Sequence, residues 1–290
     1  MLPSTFVFVA PQSATAAFGL AAVFAWGTSD FLGGYFARRL NVFLFTAVFN
    51  IGGLILMSAL AGASHAQLPS TRSVLWALAG GITGGLGVAI FFRALSAGKM
   101  GLTAPVAAVL GAAIPTLVSI FVAGPPGKIT IAGFALAVAG LWLITRVGNR
   151  NEDSGTPQGV GLAVLAGLGF AGFYLCLRQA GSGSVLWYAA LTRTGGLIIT
   201  GAIALCLGNL RISLADAGRA ALTGCIDSLG TTLFVLASQS GRLDEAVVIS
   251  SLYPAVTVLL ARIVLKEHLT RWRLIGLLAA LAAVPMIASG

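Results

Sequence analysis

Long apolar stretches separated by short polar breaks run the length of this 290-residue chain. Each apolar stretch is close to the 20 or so residues that a helix needs to cross a bilayer. They predict ten spans, at 15–37, 42–61, 73–96, 101–123, 129–147, 159–179, 184–207, 216–239, 244–265 and 270–288. The one long polar linker, 148–158, runs from Gly148 through Asn149, Arg150, Asn151, Glu152 and Asp153 to Pro157. It divides the chain into two five-helix halves, 1–147 and 159–290. Residues 1–12 lack the positive n-region of a cleavable signal peptide and read as a short tail before the first span.

The two halves echo one another. Arg193-Thr194-Gly195-Gly196-Leu197-Ile198 answers Asn50-Ile51-Gly52-Gly53-Leu54-Ile55, 143 positions earlier (193 − 50). Gly19-Leu20-Ala21 recurs as Gly161-Leu162-Ala163, and Phe31 recurs as Phe173. In span three, Gly84-Gly85-Leu86-Gly87 is matched by Asp227-Ser228-Leu229-Gly230 of span eight, and Phe91 by Phe234. So regular an offset marks a duplication. Because each half holds an odd number of spans, the second enters the bilayer upside-down relative to the first. The expected fold is an all-α integral membrane protein of ten transmembrane helices in two inverted five-helix repeats. Such repeats belong to alternating-access transporters, whose site lies near the midplane where the repeats meet.

Composition agrees with a membrane solvent. Hydrophobic residues make up 58% of the chain and charged residues 9%, with a mean hydropathy of +0.98, whereas soluble domains carry about 25% charged residues. The 38 glycines suit helices whose backbones approach closely in lipid. A net charge of +9 is spread singly between apolar runs, which fits loops beside anionic headgroups and not a nucleic-acid face. Cys176, Cys206 and Cys225 all fall in apolar segments without paired spacing and read as packing residues. No metal or cofactor is expected. Loops after odd-numbered spans hold ten Lys or Arg against four after even-numbered ones, which places the former in the cytoplasm and the termini outside.

Five charges fall inside the spans: Asp30, Arg93, Arg193, Asp227 and Arg262. A charge in the hydrocarbon core costs roughly 2.5–3.5 kcal/mol on insertion scales, so each is a functional candidate or needs a partner. By depth along their helices, Asp30 pairs with Arg93 and Arg193 with Asp227. One reading makes these structural ion pairs. The other lets Asp30 or the more central Asp227 face a water-filled cavity and take up a proton as coupling ion. Arg262 lies near a span end and snorkels. Trp76, Trp142, Trp187 and Trp272 sit near span ends as an interfacial belt, but Trp26 lies deep in span one, on one helix face with Asp30. Trp26 and Tyr253 are candidate cavity aromatics. Asn50, with Ser228, Thr231 and Thr232, supplies further polar candidates that bond either a substrate or their own helices. Pro105, Pro115 and Pro254 interrupt spans four and nine. Each is a candidate gate or a permanent bend. The glycines of span three, Gly80 to Gly87, mark tight packing.

Ala237-Ser238-Gln239-Ser240-Gly241-Arg242-Leu243 leads into Ser250-Ser251-Leu252-Tyr253-Pro254-Ala255-Val256-Thr257, then Leu265-Lys266-Glu267-His268-Leu269 and Gly276-Leu277-Leu278. This run resembles the C-terminal half of an EamA domain of the drug/metabolite transporter superfamily. A degenerate copy in the first half has Ala94-Leu95, Pro115, Gly133 and Gly140, with Gly124-Pro125-Pro126-Gly127 where the Glu turn would be. Trp26-Gly27 and Arg193 also match recurring positions. The resemblance covers essentially the whole chain. It implies a secondary transporter, an exporter of small metabolites with amino acids as the first expectation, in the cell (inner) membrane. It also implies termini inside, against the count of basic residues. The fused halves already supply the symmetry that four-helix relatives obtain by dimerising, so a monomer is expected. Two alternatives stand beside this reading: a proton-coupled multidrug pump for cations, with Trp26 and Tyr253 stacking the drug, and an intramembrane enzyme built on Asp30 and Asp227. The enzyme lacks a glycine-x-glycine-aspartate signature, since Asp30 follows Gly27-Thr28-Ser29 and Asp227 follows Cys225-Ile226.

Overall fold

The structure, a computed structural model, describes residues 11–98, 100–123, 127–146, 157–180, 184–208, 210–240, 252–266 and 270–288. Among the described residues every regular element is a helix. In chain order these are α1 (Pro11–Phe36), α2 (Val42–Ala63), α3 (Thr71–Ala97), α4 (Met100–Ala123), α5 (Lys128–Arg146), α6 (Pro157–Ala180), α7 (Val185–Cys206), α8 (Leu214–Ser240), α9 (Tyr253–Val264) and α10 (Arg271–Ala288). Each coincides with one expected span. The first part of span nine, most of the linker, the Gly124–Pro126 turn and the Glu267-His268-Leu269 turn lie outside the described residues.

Local chemistry sets the helix ends, and it repeats between the halves. Asn41 caps α2 by accepting from the Phe43 and Leu44 amides, and Ser184 caps α7 by accepting from the Trp187 amide. Ser70 caps α3 through the Ser73 amide, and Ser213 accepts from the Asp216 amide at the start of α8. These side-chain oxygens satisfy donors that the first helical turn leaves without a partner. Beyond the other ends of α2 and α7 stand His65 (φ 50°) and Gly208 (φ 70°), both left-handed. The cap pairs Asn41/Ser184 and Ser70/Ser213, and this stop pair, share the 143-position offset (184 − 41).

Packing also exchanges between the halves. α1 lies against α8 and α6 against α3. α2 meets α7, α5 meets α10, and the contacts α3–α7 and α2–α8 complete the centre. Close approach depends on glycine. A Cβ on Gly85 would meet the Gly196 backbone, and one on Gly52 would meet the Ala221 backbone. The packing role expected of the span-three glycines is therefore seen at Gly81 and Gly85, both against α7. The largest buried cluster joins Phe31, Phe45, Phe49, Phe91, Phe92 and Leu95 of α1–α3 to Met100 of α4.

The outer surface is apolar. Phe24, Ile55, Leu75, Val138, Ile198 and Leu222 are each about 56–69% exposed, a density of apolar surface that suits contact with lipid chains and not with water. Among the described residues, α1, α2, α3, α6 and α7 are long and apolar enough to cross a membrane, while α4, α5, α9 and α10 contribute shorter apolar stretches.

Two of the three candidate prolines sit inside a helix, and one sits at a helix start. Pro105 and Pro115 sit inside α4. Pro254 sits in the first turn of α9, whose N-cap is Leu252. There its missing N–H costs nothing, because first-turn amides have no intrahelical acceptor. Within the described residues Pro254 begins a helix instead of interrupting one.

Candidate functional site: a central cavity between the halves

A cavity of about 170 Å³ lies between the two halves, lined from α1, α2 and α3 on one side and from α6, α7, α8 and α9 on the other. It is an order of magnitude larger than the ~10–15 Å³ that one water needs. Trp26, Asp30, Asn50, Arg193, Asp227 and Tyr253 all line it. Helical spacing brings Trp26 and Asp30 to one face of α1, as expected four residues apart. Three buried or half-buried bonds hold that face in place. Ser29 Oγ donates to the Thr223 carbonyl of α8 at 3.2 Å. Thr257 Oγ1 of α9 donates to the Gly27 carbonyl at 3.2 Å. Trp26 Nε1 donates to Thr231 Oγ1 at 3.4 Å.

On the far wall Arg193 of α7 forms an ion pair with Asp227 of α8. The guanidinium carbon also stands 5.2 Å from the centroid of the Phe49 ring, within the range where an aromatic face attracts a cation. Asp30, only 9% exposed, has no ion pair or hydrogen bond among the described residues. The expected Asp30–Arg93 pair does not form. Arg93 is exposed among the buried residues Phe91, Phe92, Ala94 and Leu95, and it does not line the cavity. Depth along a helix ignores direction around it, and at 100° per residue Arg93 turns outward while its neighbours turn in. It lies in the last turns of α3, where a long cationic side chain reaches the interface. Arg262 is likewise exposed near the end of α9.

The hydroxyl and amide candidates are mostly engaged locally. Asn50 Nδ2 donates to the Thr46 carbonyl at 2.8 Å. Thr231 and Thr232 donate to the Asp227 and Ser228 carbonyls one turn back. Ser228 is fully buried, and its Oγ has no hydrogen-bond partner among the described residues. Trp187, in the first turn of α7, donates from Nε1 to the Ala66 carbonyl at 2.9 Å and braces the α2–α3 connection. Trp76, Trp142 and Trp272 are exposed.

Sequence reasoning missed most of the cavity's aromatic wall. Phe91, Phe170, Phe173 and Tyr174 line it together with Trp26 and Tyr253, whose rings meet edge-on with centroids 6.0 Å apart. In an apolar span a phenylalanine looks the same whether it faces lipid or cavity. Only Phe173 and Phe91 carried a signal, through their echoes Phe31 and Phe234. Gly81, Gly84 and Gly85 of α3 also line the cavity. Among the described residues no group of three or more His, Cys, Asp or Glu is placed to hold a metal ion.

The sequence profile of the EamA-like transporter family matches residues 13–146 and again residues 157–289. The chain belongs to the EamA-like transporter family. It is thus a membrane transporter of the drug/metabolite transporter superfamily, an integral membrane protein, and the family points to transport and not to an enzyme. A solved structure titled only as the crystal structure of a protein is similar at a TM-score of 0.65, with 17% identity, over 96% of this chain and 99% of that one. At that identity the likeness is one of fold. No curated protein matches the chain at a significant level.

Proposed function

We propose that this EamA-like chain is a secondary transporter that exports small amine-bearing metabolites, amino acids among them, by alternating access. In this reading ten helices cross the inner membrane as two inverted five-helix repeats, with domains 1–147 and 159–290, and a monomer is the working unit. The observation that carries it is the convergence of six polar or aromatic candidates from both halves on one cavity. Two carboxylates, Asp30 and Asp227, face one guanidinium there, and aromatic rings line the rest. An ammonium group is stabilised by both kinds of surface. Asp30 is the natural carrier of a coupling proton, because Arg193 already engages Asp227. Proline-bearing α4 is the candidate moving gate.

The test is a transport screen in proteoliposomes over metabolite classes, with and without a pH gradient. Amine-bearing compounds are expected to move, and Asp30→Asn is expected to remove dependence on the gradient. Transport by Asp30→Asn that still follows the pH gradient rules out this coupling role. The aromatic wall also supports the second reading, a multidrug pump for cations. Quaternary ammonium dyes in the same screen separate the two, since about 170 Å³ favours small substrates over polycyclic ones.

A further inference from the structure

We infer that Asp227 is a specificity-determining residue that disfavours carboxylates in the cavity, so that simple amines are taken in preference to amino acids. The inference rests on the reading of this cavity as the substrate site. Among the described residues Arg193 is the only cationic side chain lining it, and Asp227 already occupies that charge as a built-in carboxylate. The Phe49 ring covers the same guanidinium at 5.2 Å. Among the described residues, Asp30 and Asp227 set against Arg193 give the ionised cavity one net negative charge, located on Asp30, which has no partner there. An arriving ammonium group meets that charge and the surrounding rings. An arriving carboxylate meets two like charges and a guanidinium that is already paired, a repulsive arrangement of the kind that sets specificity.

The duplication sharpens the assignment. In the first half the counterparts of Arg193 and Asp227 are Asn50 and Gly84, and both line the same cavity. The helix contacts around them need neither charge, and Asn50 bonds within its own helix, to the Thr46 carbonyl. The wall can therefore be built without an ion pair. Where the pair is present, it fixes the charge that the substrate meets.

The experiment uses purified full-length protein in detergent and calorimetric titration with three ligands of one skeleton: isoamylamine, leucine and 4-methylpentanoate. Wild-type protein is expected to bind isoamylamine about tenfold more tightly than leucine, and 4-methylpentanoate weakest of all. Asp227→Asn frees Arg193 and is expected to move the amine-to-leucine ratio by about tenfold toward leucine. Should that variant fail to fold around its unpaired arginine, the neutral double variant Arg193→Gln/Asp227→Asn takes its place. It retains Asp30 and is expected to keep the amine preference without accepting carboxylates. Wild-type protein that binds leucine or 4-methylpentanoate as tightly as isoamylamine overturns the inference. So does a folded Asp227→Asn whose ratio is unchanged, or a double variant that gains carboxylate binding. Protein that moves neither amines nor amino acids in the proteoliposome screen defeats the broader proposed function, and this inference falls with it.

Discussion

The α7–α8 wall of the cavity and its counterpart, α2–α3, share their scaffold and differ in their chemistry. The caps Ser184 and Ser213 repeat Asn41 and Ser70, and the left-handed stops His65 and Gly208 fall at equivalent places. Gly81 against Thr192 on α7 is answered by Gly224 against Phe49 on α2. Yet one wall presents an ion pair, Arg193 with Asp227, and the other presents Asn50 beside Gly84. Packing constrains the small residues and caps on both sides alike, because backbone approach in lipid tolerates little added volume. The cavity-facing positions are free to diverge. Symmetry here belongs to the framework, and selectivity belongs to the departures from it.

The largest expected effect comes from breaking the charged wall. Arg193→Ala strands a half-buried Asp227 and is expected to destabilise the protein by about 3 kcal/mol, seen as loss of monodisperse protein or a sharply lowered melting temperature in detergent. Next comes the shared framework. Gly85→Val pushes a side chain into the Gly196 backbone and should cost about 1–3 kcal/mol by overpacking. Gly161→Ala, with nothing within 4 Å of the added Cβ, should be neutral or slightly stabilising. Comparable melting temperatures for the two variants would contradict the assigned glycine contact. The neutral wall gives a smaller effect. Asn50→Ala loses one bond to the Thr46 carbonyl and should cost about 0.5–1.5 kcal/mol, well below Arg193→Ala. Finally, the walls can be made alike with Asn50→Arg and Gly84→Asp. A double-mutant cycle on melting should show favourable coupling of about 0.5–3 kcal/mol. Zero coupling would mean that the two walls are not geometrically equivalent.

Much of this comparison was legible in the residues. The regular offset exposed the duplication, and the Arg193–Asp227 pair followed from the cost of leaving either charge alone in an apolar span. What failed was direction around a helix. Arg93 shares its depth with Asp30 but faces outward, a difference carried by helical phase and not by depth. Phe170 and Tyr174 gave no sign, because apolar spans need aromatics on every face. Pro254 shows another limit: a proline that begins a helix and one that breaks it look identical until the helix start is known. The caps Asn41 and Ser184 were readable in principle, as polar residues standing directly before apolar runs.

The placement of Trp26 has an optical consequence. Its indole sits at the cavity wall, 6.0 Å from the Tyr253 ring and 5.6 Å from the Phe234 ring. The other four tryptophans, Trp76, Trp142, Trp187 and Trp272, all stand near helix ends. A chain with those four changed to phenylalanine would keep a single tryptophan, placed in the cavity and excited directly or by energy transfer from Tyr253. Its emission colour would then follow the wetting of the cavity through each transport cycle, without any attached dye.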